Sequence, residues 1–210
     1  MIYIDKSTEP VSLSEYRVTA NAHFDDMPGE TKRKLRESLL KEQCFLCAYC
    51  MKHIHKASDI KIEHYKARNS HNELTYKNLL AVCKGNEGTT PQAQTCDTKK
   101  GDNDLHIDPQ KTGDMSTIYY DSQGKIYSSN QQYDKDINKI LNLNYTYGYL
   151  IDNRKTALDA LKEKMKKLSP TGDLQSYVEK LWRHYAEMNG CGEYKEYVGI
   201  LRWYLQKKRC

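Results

Sequence analysis

The spacing of apolar positions divides the chain into recognisable elements. Leu35 and Leu39 lie four apart in a charged stretch, which predicts an amphipathic helix from Glu30 to about Gln43. Ile60-Lys61-Ile62-Glu63-His64-Tyr65 alternates as a strand does, with Ile60 and Ile62 on one face. Ile118-Tyr119-Tyr120 and Lys125-Ile126-Tyr127 flank Asp121-Ser122-Gln123-Gly124, the layout of a β-hairpin. After about Tyr133 the pattern turns helical. Ile151, Leu158, Leu161, Met165 and Leu168 form one stripe, stopped by Ser169-Pro170. Leu174, Tyr177, Val178, Leu181, Trp182 and Tyr185 form a second that ends at Asn189-Gly190, and Tyr194, Tyr197, Val198, Leu201, Tyr204 and Leu205 form a third. These stripes are packing faces. Residues 1–29, broken by Pro10, Pro28 and Gly29, read as extended or irregular, and 85–92 as a polar loop. The expected class is α+β, in three stretches: an N-terminal segment and helix (1–46), a small β-containing module with a hairpin (47–130), and a mainly helical lobe (131–210).

Composition narrows the class. A hydrophobic share of 38% and a charged share of 29% fit a globular chain. No apolar run nears the ~20 residues of a membrane span, and Met1-Ile2-Tyr3-Ile4-Asp5-Lys6 lacks a signal-peptide layout, so a cytosolic protein without a membrane partner is expected. The net charge is +5. It is concentrated from Arg154 onward, where 13 Lys and Arg face 7 Asp and Glu. That surplus suits a polyanion, although solvated helix faces carry similar charge. Seventeen tyrosines against two phenylalanines point to faces that pack with the ring and stay wet at the hydroxyl.

Five of the seven cysteines fall at 44, 47, 50, 83 and 96. An odd count without an export signal favours thiolate ligands over a disulfide framework. Zinc takes four thiolates in a tetrahedron, and a two-residue gap lets two cysteines of one turn share the ion. Cys44/Cys47 and Cys47/Cys50 both have that gap. Cys47 and Cys50 are favoured, because the preceding helix carries Cys44 on its packing side near Leu40. Cys83 and Cys96 form the second pair; the loop between them costs little closure entropy once a metal joins its ends.

Between the pairs lie Glu63-His64, Tyr76-Lys77-Asn78-Leu79-Leu80-Ala81-Val82-Cys83 and Cys96-Asp97-Thr98-Lys99-Lys100-Gly101-Asp102. This order resembles the HNH endonuclease motif with its flanking zinc cysteines. Leu39 to Cys50, Ile62-Glu63-His64-Tyr65-Lys66 and Cys96 to Asp102 are similar, more narrowly, to the HNH proteins of Septu-type and retron anti-phage systems. The resemblance implies a zinc-stapled ββα-metal module between about Cys47 and Gly101. It makes His64 the general base and gives Glu63 and Asp97 one catalytic divalent ion, Mg²⁺ by its preference for hard oxygen ligands. Asn78 is then structural, holding the loop so that His64 faces the phosphate, and Lys99 or Lys100 is a candidate phosphate contact. It also implies an ATPase subunit as partner, joined in retron versions by a reverse transcriptase and its RNA–DNA product.

Two positions depart from the family pattern: Glu63 replaces the commoner Asp or His, and Asp97 replaces His or Asn. Both keep oxygen ligands and make the site more anionic. Strict alternation sends Glu63 and His64 to opposite faces, so a twist or bulge is expected there. His53, His55 and His71 fit no ligand spacing. The leading expectation is a DNA endonuclease of anti-phage defence. Cleavage of RNA, such as a transfer RNA, by the same site is the alternative within that chemistry, and a non-catalytic zinc-stapled adaptor is the alternative outside it. A site that grips a phosphodiester does not distinguish DNA from RNA.

Overall fold

In a computed structural model the protein is described over residues 1–168 and 173–209. It is built from α1 (Val11–Arg17), α2 (Gly29–Glu42), β1 (Ile60–His64), β2 (Leu79–Cys83), α3 (Cys96–Lys100), α4 (Thr112–Ser116), β3 (Ile118–Tyr120), β4 (Ile126–Ser128), α5 (Gln131–Lys135), α6 (Tyr149–Leu168), α7 (Leu174–Ala186) and α8 (Val198–Arg209). The strands form two antiparallel pairs, β1 with β2 and β3 with β4. Helices with two small sheets make the α+β class. One hydrophobic cluster runs from Met1 through β2 to Leu205 and joins all of these elements.

The long-period elements lie where the apolar spacing put them. Leu35, Leu39 and Leu40 are the buried stripe of α2, with Arg33 bridging Glu30 and Glu37 on its outer face. The 3–4 stripes give α6, α7 and α8. The predicted stop at Ser169-Pro170 lies outside the described residues.

Three readings are corrected. Residues 1–29 contain α1, missed because only Leu13 of its seven residues is buried and leaves no periodicity to read. The chain after Tyr133 is not helical throughout: 141–148 and 187–197 are irregular. The second stripe therefore ends at Ala186, and Tyr194 and Tyr197 precede α8. On β1, Ile60 is buried as expected, but Ile62 is half-buried and the second buried residue is Glu63. Of the expected twist or bulge at Glu63-His64, a bulge is absent: Ile60↔Cys83 through His64↔Leu79 pair in unbroken register.

Two glycines fix the frame around the site. Gly85 has φ +51°, and a Cβ there would lie 2.1 Å from the Thr95 carbonyl oxygen, so only glycine lets the loop after β2 close against the start of α3. Gly124 (φ +89°) turns the β3–β4 hairpin under α6, where a Cβ would meet the Ile151 oxygen at 2.4 Å. Its carbonyl accepts a hydrogen bond from buried Arg154. Among the described residues no helix is long and apolar enough to cross a membrane.

Candidate active site and metal centre

The cysteine cluster begins where α2 stops. Cys44 and Phe45 take left-handed backbone conformations, and the Phe45 N–H caps the Leu40 carbonyl. The chain then folds into a tight knuckle in which Cys47 N–H bonds Lys52 O and Met51 N–H bonds Cys47 O. Buried Gln43 ties this knuckle to the middle of β2. Its Nε2 donates to Leu46 O and Ala81 O, and its Oε1 accepts from Ala81 N–H at 2.7 Å. On the far side, Cys96 N–H bonds Leu141 O.

These ties bring Cys47, Cys50, Cys83 and Cys96 together, all buried, with their sulfurs within 4.8 Å of one another. The measured edges are 3.9 Å (Cys47–Cys96), 3.7 Å (Cys50–Cys83) and 3.8 Å (Cys83–Cys96). A tetrahedron with Zn–S bonds of ~2.3 Å has edges of about 3.8 Å, which these three match, and the four sulfurs together form a group that could hold one metal ion. Cys44 is buried outside this group. Burial opposes ionisation of Cys47, yet hydrogen bonds from the other three thiols hold it well below its usual range; that sharing pushes Cys50 and Cys96 up. A bound cation would replace the shared protons.

Beside the cluster is a cleft of about 360 Å³ lined in part by Lys61, Glu63, His64, Arg68, Asp97 and Lys100. β1 supplies Glu63 and His64, and α3, which starts at the ligand Cys96, supplies Asp97. Glu63 is 3% exposed. It accepts from the Tyr49 hydroxyl at 2.8 Å and pairs with Lys100 at 3.0 Å. Burial, then its hydrogen bond to Asp97, pushes the Glu63 carboxyl up to about 9. Burial opposes the ionisation of Asp97, but the bond from Glu63 and the Lys61 ammonium 3.0 Å away keep that carboxyl below its usual range. The two neighbouring acids are thus pushed in opposite directions, each with an ammonium 3.0 Å away, Lys100 for Glu63 and Lys61 for Asp97.

His64 closes the β1–β2 register. Its Nε2 bonds the Glu73 carbonyl at 3.0 Å, which fixes a tautomer with the Nδ1 lone pair free to accept. Burial, reinforced by Arg68 and Lys100, lowers its pKa, so the imidazole is neutral near pH 7. Asn78, buried at the start of β2, bridges the intervening loop: its Oδ1 accepts from Lys66 N–H at 2.7 Å and its Nδ2 donates to Lys66 O at 3.1 Å. Glu63 and His64 face one cleft without a bulge because His64 is the last residue of a two-stranded ribbon, where twist is large.

The lysines differ from expectation. Lys99 donates to Pro91 O in the polar loop and is outside the cleft lining. Lys100 is 1% exposed, with its ammonium engaged by Glu63, His64 O and Gly101 O, so its three protons are committed. His53 and His55 line a separate cavity with His184 and Glu193, and His71 is exposed. Sequence reasoning missed Gln43, Tyr49 and the role of Lys100. All three lie in or beside the sequence motifs, but nothing in those motifs gives the partners that each one bonds.

Over 115 residues the chain is 29% identical to an Escherichia coli protein described as "Retron Ec83 putative HNH endonuclease". The match takes in 46% of this chain and 45% of that protein, so it spans less than half of the relative's length. No protein-family model matches the chain. With the four-cysteine cluster, this similarity supports an HNH-type nuclease. The particular relative is retron-associated.

Proposed function

We propose that the protein is a metal-dependent HNH endonuclease that hydrolyses nucleic-acid phosphodiester bonds, DNA by preference, in anti-phage defence. The observation that carries this reading is the convergence of Glu63, His64 and Asp97 on one cleft beside four sulfurs at zinc spacing. Cys47, Cys50, Cys83 and Cys96 hold a structural zinc that fixes α3 against β1 and β2. Glu63 and Asp97 hold a divalent ion, which when bound supplies positive charge to the phosphate and its departing oxygen. His64 Nδ1 takes a proton from water as the water oxygen bonds phosphorus and the P–O3′ bond breaks. Glu73 O holds the ring in the accepting tautomer, and Asn78 fixes the loop that carries Glu73 relative to β1. Lys100 holds the Glu63 carboxylate in place.

The partner in this reading is an ATPase subunit of a defence system, joined in a retron version by a reverse transcriptase and its RNA–DNA product. The basic helical lobe, 131–210, is the docking or substrate-holding part. The test is cleavage of plasmid DNA and total RNA by the purified chain with Mg²⁺, with and without the ATPase. His64→Ala should abolish cleavage and leave zinc content unchanged. A His64→Ala protein that cuts as well as the parent removes the assigned base. Cutting of RNA alone reassigns the substrate, and a zinc-loaded parent that cuts neither leaves the adaptor reading.

A further inference from the structure

The loop between α1 and α2 lies against the cleft. Phe24 meets the His64 ring edge-on with centroids 4.6 Å apart. Glu73 anchors that loop through its carboxylate, which accepts from Phe24 N–H at 3.2 Å and pairs with His23 Nδ1 at 2.9 Å, while its carbonyl holds His64. One further contact crosses from loop to cleft wall. Arg68 Nη1 donates to Asp25 Oδ1 at 2.7 Å, with the guanidinium 5.9 Å from the Phe24 ring.

The three cations of the cleft are held very differently. Lys100 is buried with its protons committed, and Lys61 is spanned by Asp97 and Glu87. Arg68 and Asp25 remain 41% and 72% exposed. An ion pair that exposed is worth roughly 0–1 kcal/mol, so a stronger acceptor displaces it readily. Phosphate is such an acceptor, because a guanidinium offers it two parallel donors in a fixed fork. Asp25 is also the carboxylate of a different segment, so exchanging it leaves β1 and α3 undisturbed. We infer that Arg68 is a phosphate-binding residue of the cleft, and that Asp25 holds its guanidinium until a substrate phosphate replaces the carboxylate. This rests on the phosphodiester reading of the site. It assigns the α1–α2 loop the role of a competitor for nucleic acid, with Phe24 steadying the base.

Binding separates this inference from catalysis. In a His64→Ala background, fluorescence anisotropy with labelled DNA and RNA oligonucleotides reports affinity without cleavage, with zinc content and circular dichroism as folding controls. Arg68→Ala should weaken binding about tenfold or more, the loss expected for a charge-assisted hydrogen bond, and Arg68→Lys should restore only part of it. Asp25→Ala should tighten binding about two- to fivefold, in keeping with the small worth of an exposed pair. That gain should vanish when Arg68 is already Ala. Unchanged affinity in Arg68→Ala, or an Asp25→Ala gain that survives without Arg68, overturns the inference and leaves the nuclease reading standing. A parent that neither binds nor cleaves either polymer overturns both.

Discussion

Asn78→Ala removes the amide that bridges the loop following His64. The side chain is buried, and both of its strong bonds go to the backbone of Lys66, at 2.7 Å to N–H and 3.1 Å to O. Alanine fills no part of that space and leaves a donor and an acceptor without partners. Lys66 is an exposed residue and both bonds are partly buried, so water replaces some of what is lost; at about 0.5–1.5 kcal/mol per hydrogen bond, a loss of about 1–3 kcal/mol is expected. Urea unfolding at saturating zinc measures this as a lower midpoint with unchanged slope. The zinc content should hold, because Asn78 touches no cysteine ligand, while cleavage falls as Glu73 O ceases to fix the His64 ring. Asn78→Asp keeps the acceptor for Lys66 N–H and loses the donor to Lys66 O, so it should also be destabilised. A loss under about 0.5 kcal/mol for Asn78→Ala would refute the idea that this bridge holds the loop.

Other outcomes follow from the same geometry. Cys83→Ser should lose zinc and much of its stability, since a metal bound only by the folded chain contributes directly to folding; unchanged zinc stoichiometry would argue against Cys83 as a ligand. Gly85→Ala should speed zinc loss to a chelator several-fold, because its Cβ would collide with Thr95 O and strain the loop joining two ligands. Gln43→Ala leaves Ala81 N–H unpaired in the interior and should cost about 1–3 kcal/mol, read by thermal unfolding. Lys100→Met leaves the buried Glu63 carboxylate without its cation and should reduce cleavage while zinc stays bound; full activity would remove its positioning role.

The legible parts of this protein are those whose information is local. A 3–4 stripe is enough to place α2 and the C-terminal helices, and alternation places β1 and the β3–β4 hairpin. Cys-x-x-Cys spacing leaves two registers, 44/47 and 47/50, and the packing side of the preceding helix chooses the second, while Cys83 and Cys96 are paired across the loop between them. The parts that escaped depend on contacts distant in sequence. Nothing near Gln43 shows that it will bond Ala81, 38 residues on. Lys100 reads as a candidate phosphate contact until α3 packs against β1 and buries it on Glu63. Glu63 breaks the alternation rule because Tyr49 and Lys100 compensate its burial, leaving Ile62 half-buried instead. Likewise Phe24 and Asp25 sit in a stretch without periodicity, and only the folded chain brings them to His64 and Arg68.

The central claim is that Glu63 and Asp97 share one divalent ion in front of His64 while four thiolates hold another. Anomalous diffraction from crystals grown with Mn²⁺, recorded on both sides of the zinc edge, measures this directly. The account predicts a zinc peak amid Cys47, Cys50, Cys83 and Cys96, and a manganese peak in the cleft held by Glu63 and Asp97. Zinc absent from the cysteines, or manganese bound elsewhere with none at Glu63 and Asp97, would contradict it.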